Sequence, residues 1–107
     1  MRKKDTMSEQ KLKRNDFYEF VGMNCKGEKT FELTYKKVNG EIRKAVGKLH
    51  DEEADKLVKG TGYSRKHKMD LWKVFQYFDV NSHAFRSAKL ENIIDVKVDD
   101  VLYTLED

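Results

Sequence analysis

The chain has 107 residues, 38% apolar and 38% charged, with a net charge of +3 at pH 7. That length holds one domain around one modest core. No apolar run approaches the roughly 20 residues a membrane span needs, no apolar stretch follows the basic N-terminus as a secretory leader would, and a lone cysteine, Cys25, excludes an internal disulfide and points to a reducing cytoplasmic setting.

The charge is unevenly spread. Residues 1–50 carry 13 Lys/Arg against 7 Asp/Glu, while residues 51–107 carry 9 against 12. Within the second half, Arg65, Lys66, His67 and Lys68 form a basic knot, and Asp95, Asp99, Asp100, Glu106 and Asp107 make an acidic end. A basic patch attracts nucleic acid or an acidic protein surface; the same charges serve equally as solvated faces.

In chain order, residues 1–8 have nothing to bury and read as a disordered basic tail, leaving residues 9–107 as a single domain. Ser8 suits a helix N-cap, and residues 11–21 fit a helix with Leu12, Phe17, Phe20 and Val21 inward; a strand starting at Asp16 fits as well. Thr30–Tyr35 alternates polar and apolar, Asn39-Gly40 offers a type I′ turn, and residues 41–49 return. A two-residue loop places Leu33 opposite Val46, Tyr35 opposite Lys44 and Phe31 opposite Lys48, with Phe31, Leu33, Tyr35, Ile42 and Val46 on one face. Residues 50–59 predict a short helix with acidic residues in its first turn, ended by Gly60-Thr61-Gly62. Tyr63–Met69 reads as a basic loop and Leu71–Phe78 as a strand rich in aromatic and branched residues. Turn chemistry at residues 79–83 precedes a return strand over 84–88 and a last strand with Ile94, Val96 and Val98 on one face; Val101–Leu105 adds a short strand or a helical turn.

Nothing in the chain selects catalysis. His50, His67 and His83 lack partners at metal-ligand spacing, no phosphate-cradling glycine pattern occurs, and no base is evident beside Cys25. The expectation is a protein without enzymatic activity, metal or cofactor. What stands out is basic residues interleaved with aromatic ones: Tyr63, Arg65, Lys66, Lys68, Trp72 and Lys73, then Phe85, Arg86 and Lys89. Single-stranded nucleic-acid grooves combine cations for the backbone with aromatic faces for the bases, although aromatic residues in a β protein are more often core. Arg86, among small and apolar residues, needs a carboxylate or carbonyl partner and reads as a structural or a ligand-binding fork.

Phe31-Glu32-Leu33-Thr34-Tyr35, the Asn39-Gly40 turn and Ile42-Arg43-Lys44-Ala45-Val46 resemble the opening hairpin of WYL domains. Tyr77-Phe78-Asp79 and Ala84-Phe85-Arg86-Ser87-Ala88-Lys89-Leu90-Glu91-Asn92-Ile93 resemble their later hairpin. The likeness covers about residues 30–98 and is closest to the small stand-alone branch encoded mainly by bacteriophages. It implies a five-stranded Sm-like barrel that senses nucleic acids or nucleotide-like ligands, with Arg86 at the position of the arginine lining the family's ligand site. Three features depart from the pattern: Leu71-Trp72-Lys73-Val74 stands near the slot of the Trp-Tyr-Leu tripeptide, no helix-turn-helix is evident, and the N-terminal segment is extra and charged.

The resulting expectation is a mainly β (α+β) protein: a small five-stranded Sm/SH3-like antiparallel barrel with an N-terminal helix and one short inserted helix. It would act in the cytoplasm, that of a host cell if phage-encoded. It would be a non-catalytic binding module for nucleic acid or a nucleotide-like ligand, using Arg86, Arg43, Lys44, Tyr63, Arg65, Lys66, Lys68 and Lys89. The alternative is a phage effector that inhibits a host protein or defence complex by protein–protein contact, docking through the acidic end.

Overall fold

Alternating polar and apolar side chains build the centre of the molecule. The computed structural model describes residues 9–50 and 65–107. The strands are β1 (Glu9–Lys13), β2 (Thr30–Lys36), β3 (Ile42–Lys48), β4 (Val74–Asp79), β5 (Ala84–Lys89), β6 (Ile93–Val98) and β7 (Val101–Glu106). Two helices, α1 (Phe17–Asn24) and α2 (Arg65–Trp72), and two short 3₁₀ turns at Arg14–Asp16 and Leu90–Asn92 complete the described elements. The expected tail over residues 1–8, all but His50 of the expected helix over residues 50–59, and Tyr63 lie outside the described residues.

The strands form one sheet in the order β1-β7-β6-β2-β3-β4-β5, antiparallel except for β1 beside β7. The fold is mainly β, as expected, but the closed five-stranded barrel is not what is seen: seven strands are paired, and no ladder joins the end strands β1 and β5. β1 and β7 are the additional pair. The N-terminal helix is displaced toward the C-terminus, because Lys11 and Lys13 extend beside β7 while Phe17 and Val21, four residues apart, give α1 its buried stripe, continued by buried Cys25 at its C-cap. Phe17 meets Phe75 edge-on at 4.9 Å, and Phe20 rests on Tyr103 at 4.6 Å. Arg14 ties this segment down, its Nη1 donating to the carbonyls of Leu90 (2.9 Å) and Ile93 (2.7 Å) and its Nε pairing with Asp107.

The central hairpin forms with its register one residue from the expectation. Leu33 faces Ala45, Tyr35 faces Arg43 and Thr30 faces Lys48. The reason is the loop. Gly40 N–H donates to the Lys37 carbonyl and Lys37 N–H to the Glu41 carbonyl, with Gly40 alone at positive φ (+95°), so the connection is a three-residue loop with a glycine bulge rather than a type I′ turn. A one-residue slip exchanges the faces of a strand. Ala45, Gly47 and Leu49 are therefore buried, Arg43 turns toward the inner side, and Ile42 is exposed. The genuine two-residue turn with both residues at positive φ is Asp99-Asp100 (54° and 68°), joining β6 to β7.

Two further differences have local causes. Thr34 pairs with Asp95 and Tyr35 with Ile93, so Ile94 is a bulge; it turns outward and Ile93 takes the inward place beside Val96 and Val98. The expected strand from Leu71 begins only at Val74, because Leu71 and Trp72 finish α2. Lys73, at φ 54°, then redirects the chain.

Gly47 marks the tightest approach in the core. A Cβ there would lie 2.7 Å from Tyr77 Cδ2 and 3.2 Å from Phe31 Cε1. Gly47→Ala therefore overpacks the centre and is expected to cost about 1–3 kcal/mol. Gly22→Ala, in helix α1 with open space around it, is expected to stabilise by about 0.5–1 kcal/mol. Urea unfolding midpoints of the two variants should therefore move in opposite directions from wild type.

Candidate ligand-binding groove

β3 and β4 pair over just two positions, Gly47 with Asp79 and Lys48 with Phe78. Beyond that seam the strands part, and the β2–β3 hairpin stands away from β5, whose outer edge carries no partner strand among the described residues. Two buried tyrosines span the split: Tyr35 from β2 and Tyr77 from β4 share a hydroxyl–hydroxyl hydrogen bond of 2.9 Å. One of the two protons serves that bond. The other has no protein acceptor among the described residues, so the pair keeps one buried O–H donor, and its Tyr35 member lines the opening.

The opening is a groove of about 730 Å³. One lip is the β2–β3 hairpin, with Lys36, Lys37 and Arg43; the other is the edge of β5, with Arg86 and Lys89. Tyr35, Val74, Phe85 and Ala88 add apolar surface. Five cationic side chains and no carboxylate line it. Lys37 is paired with Glu41 at 3.4 Å, whereas Lys36, Arg43 and Lys89 have no hydrogen-bond or ion-pair partner among the described residues.

Arg86 is held by the turn before it. Asp79 is 6% exposed, and its Oδ1 accepts the N–H groups of Asn81 (2.9 Å) and Ser82 (3.1 Å), fixing the β4–β5 connection. Its Oδ2 accepts Arg86 Nε at 3.1 Å, with Ser82 Oγ 3.2 Å from the same nitrogen. The two terminal nitrogens of Arg86 have no protein partner among the described residues and remain available to a planar anion. Of the two expectations for Arg86, structural fork or ligand fork, the structural one describes its Nε, which is held by Asp79 and Ser82.

The groove thus gathers Arg86, Arg43 and Lys89 from the expected set. Lys44 is a correction: the register slip puts it on the opposite face of the sheet with Glu32, Asp95 and Lys97. Arg65 is a second, because it is spent on structure: its Nε donates to the Gln76 carbonyl (2.8 Å) and its Nη2 to the Leu49 carbonyl, bridging the parting ends of β3 and β4. Lys66 pairs with Asp70 one helical turn away at 2.7 Å, and neither Lys66 nor Lys68 lines the groove. Lys36 and Tyr35 also line the groove; the alternation of β2 gives each its face, but no local pattern shows that the sheet parts beside them. Asp79 was read as turn chemistry, and only its second oxygen reveals the link to Arg86. Cys25 is buried, and that burial pushes its thiol up, against a smaller lowering by Lys29.

Two measurements probe this geometry. Asp79→Ala removes one acceptor from three donors and is expected to cost about 1–3 kcal/mol in urea unfolding. The Tyr77 phenol is pushed well up, first by burial, then by its hydrogen bond with Tyr35 and by the charges of Tyr35 and Asp79, with Arg43 opposing. The unfolded phenol ionises near pH 10, so above about pH 10 the unfolded state loses its proton first and stability falls as pH rises. Unfolding followed between about pH 9 and pH 11 should show wild type losing more stability than Tyr77→Phe across that window.

The sequence matches the WYL_2 family, described as an Sm-like SH3 beta-barrel fold, over residues 26–94. No curated protein and no solved structure matches it. The matched span contains β2 to β5 and enters β6, the strands that form the seam and both lips of the groove. The chain belongs to the WYL_2 family of Sm-like SH3 beta-barrel fold proteins.

Proposed function

We propose that the protein is a non-catalytic binding module that takes nucleic acid or a nucleotide-like anion in the groove between the β2–β3 hairpin and β5. The observation that carries this reading is the one-sided charge of the groove: five cations, no carboxylate, and aromatic and aliphatic surface between them. Phosphate oxygens suit the free guanidinium nitrogens of Arg86 and Arg43, and a base suits the apolar surface. The leftover tyrosine proton supplies a hydrogen bond to the ligand's interior. The outer face favours the reading by contrast, since Lys44 and Lys97 stand there among Glu32, Asp95 and Asp100. Docking of a host protein through the acidic end has less support, because Asp99 is held by Lys29 at 2.8 Å. The resemblance to bacteriophage proteins supports a phage-encoded module acting in the host cytoplasm.

Fluorescence anisotropy with labelled single-stranded and duplex oligonucleotides tests the proposal. Engaging about four cations, a single strand should lose about 50-fold and a duplex about 150-fold in affinity between 50 and 200 mM salt. Arg43→Ala and Arg86→Ala should each weaken binding about tenfold or more, and Lys44→Ala less than about twofold, since a charge-assisted contact contributes about 1.5–3 kcal/mol. No binding tighter than about 100 µM at low salt, or equal losses for Arg86→Ala and Lys44→Ala, overturns the reading. Capture of one defined host protein, unchanged by nuclease treatment, points to the protein-docking alternative.

A further inference from the structure

The groove does not stop at Lys89. The same side chain lines a second concavity of about 400 Å³, with Arg14, Trp72, Lys73, Leu90 and Glu91 among its walls. Lys89 is therefore a wall of both depressions. Trp72, the last residue of α2, is 52% exposed at this second site. Its backbone is tied down on the side that follows it: Lys73 N–H donates to the Met69 carbonyl (3.0 Å), and the Lys73 carbonyl accepts Leu90 N–H (2.8 Å). Lys73 holds a left-handed conformation at φ 54°. A bulky residue at φ > 0 is uncommon, and here it turns the chain sharply so that α2 ends beside the 3₁₀ turn that follows β5. The indole is thus held at the rim by ordered backbone.

The charges divide in an informative way. The Arg14 guanidinium is committed to two carbonyls and Asp107. Glu91 is the one carboxylate lining this concavity. Lys73 and Lys89 have no ion-pair partner among the described residues and are the cations left for a ligand. An exposed indole that shares a concavity with two lysines, one of which also lines the basic groove, is the combination that receives a stacked base and its neighbouring phosphates.

We propose that Trp72 and Lys73 form a second subsite, continuous with the first through Lys89, which stacks one base of a single-stranded nucleic acid whose phosphates follow Arg86 and Lys89. This rests on the groove reading above and narrows it. A duplex keeps its bases stacked on one another and offers none to the indole. A mononucleotide held at Arg43 and Arg86 would fill the groove and leave the second subsite empty.

Trp72 is the one tryptophan of the chain, so intrinsic emission reports this subsite alone. Wild-type protein is titrated with inorganic phosphate, thymidine monophosphate, single-stranded oligothymidylates of about two, four and eight nucleotides, and a duplex of the same length as the longest. Quenching is expected with the longer single strands and not with phosphate, mononucleotide or duplex. Trp72→Ala should weaken the octanucleotide about tenfold, Trp72→Phe should recover most of that loss, and mononucleotide affinity should be unchanged in both. Arg86→Ala should weaken every ligand that binds. Arg86-dependent octanucleotide binding with unchanged tryptophan emission and no loss in Trp72→Ala overturns the second subsite while leaving the groove reading intact. Absence of binding by any of these ligands overturns both.

Discussion

The arrangement depends on a missing side chain. At Gly47 the ring of Tyr77 occupies the space a Cβ would need, and the Phe31 ring closes in from the other side. That contact brings β3 and β4 together for two residues and no more. It also sets Tyr77 deep enough for its hydroxyl to meet Tyr35 across the split. Further along, the strands diverge, and the gap is bridged at its lower end by the Arg65 guanidinium on the carbonyls of Leu49 and Gln76. The upper end stays open and becomes the groove. A sheet paired along the full length of β3 and β4 would have no such opening, so core packing and binding site are consequences of one short seam.

Charge placement follows from the same geometry. β4 separates the hairpin from β5 in the sheet, and each contributes cations to a shared gap. Clustered like charge in the unliganded state is costly in repulsion. Here Lys37 is offset by Glu41 and the Nε of Arg86 by Asp79, while the remaining donors face the gap. The buried Asp79 links turn and site: one oxygen shapes the β4–β5 connection, and the other aims the arginine. The chain therefore specifies the position of Arg86 through local turn chemistry, in addition to β-sheet register.

How much of this was legible in the residues varies with the range of the interaction involved. The alternation over residues 30–35 located β2 and its inner face, because a half-buried strand writes its face into every second residue, and residues 41–49 located β3 without its face. Register is a different matter. Asn39-Gly40 serves a two-residue turn and a three-residue loop with a bulged glycine about equally well, and the choice between them depends on how Ala45 and Gly47 fit against Tyr77 and Phe31, which no local pattern records. The slip moved Arg43 to the inner side and Lys44 to the outer one. Leu71 and Trp72 looked like the start of a strand since short apolar runs carry no period of their own; the left-handed Lys73 separates helix from strand there. β1 was unreadable for another reason: with Leu12 as its one apolar residue, it is held by its pairing to β7 at the far end of the chain. Arg86 was recognised through family likeness and through its need for a carboxylate; the identity of that carboxylate came from the fold.

The account stands on the gap between the hairpin tip and the outer edge of β5 being where an anionic ligand binds. The most direct measurement is a map of backbone amide shifts in isotope-labelled protein during titration with a short single-stranded oligonucleotide. Perturbations concentrated at residues 35–43 and 85–89, with Lys44, Asp95 and Lys97 on the outer face unmoved, are the expected pattern. Perturbations centred on that outer face, with the groove amides still, would contradict it.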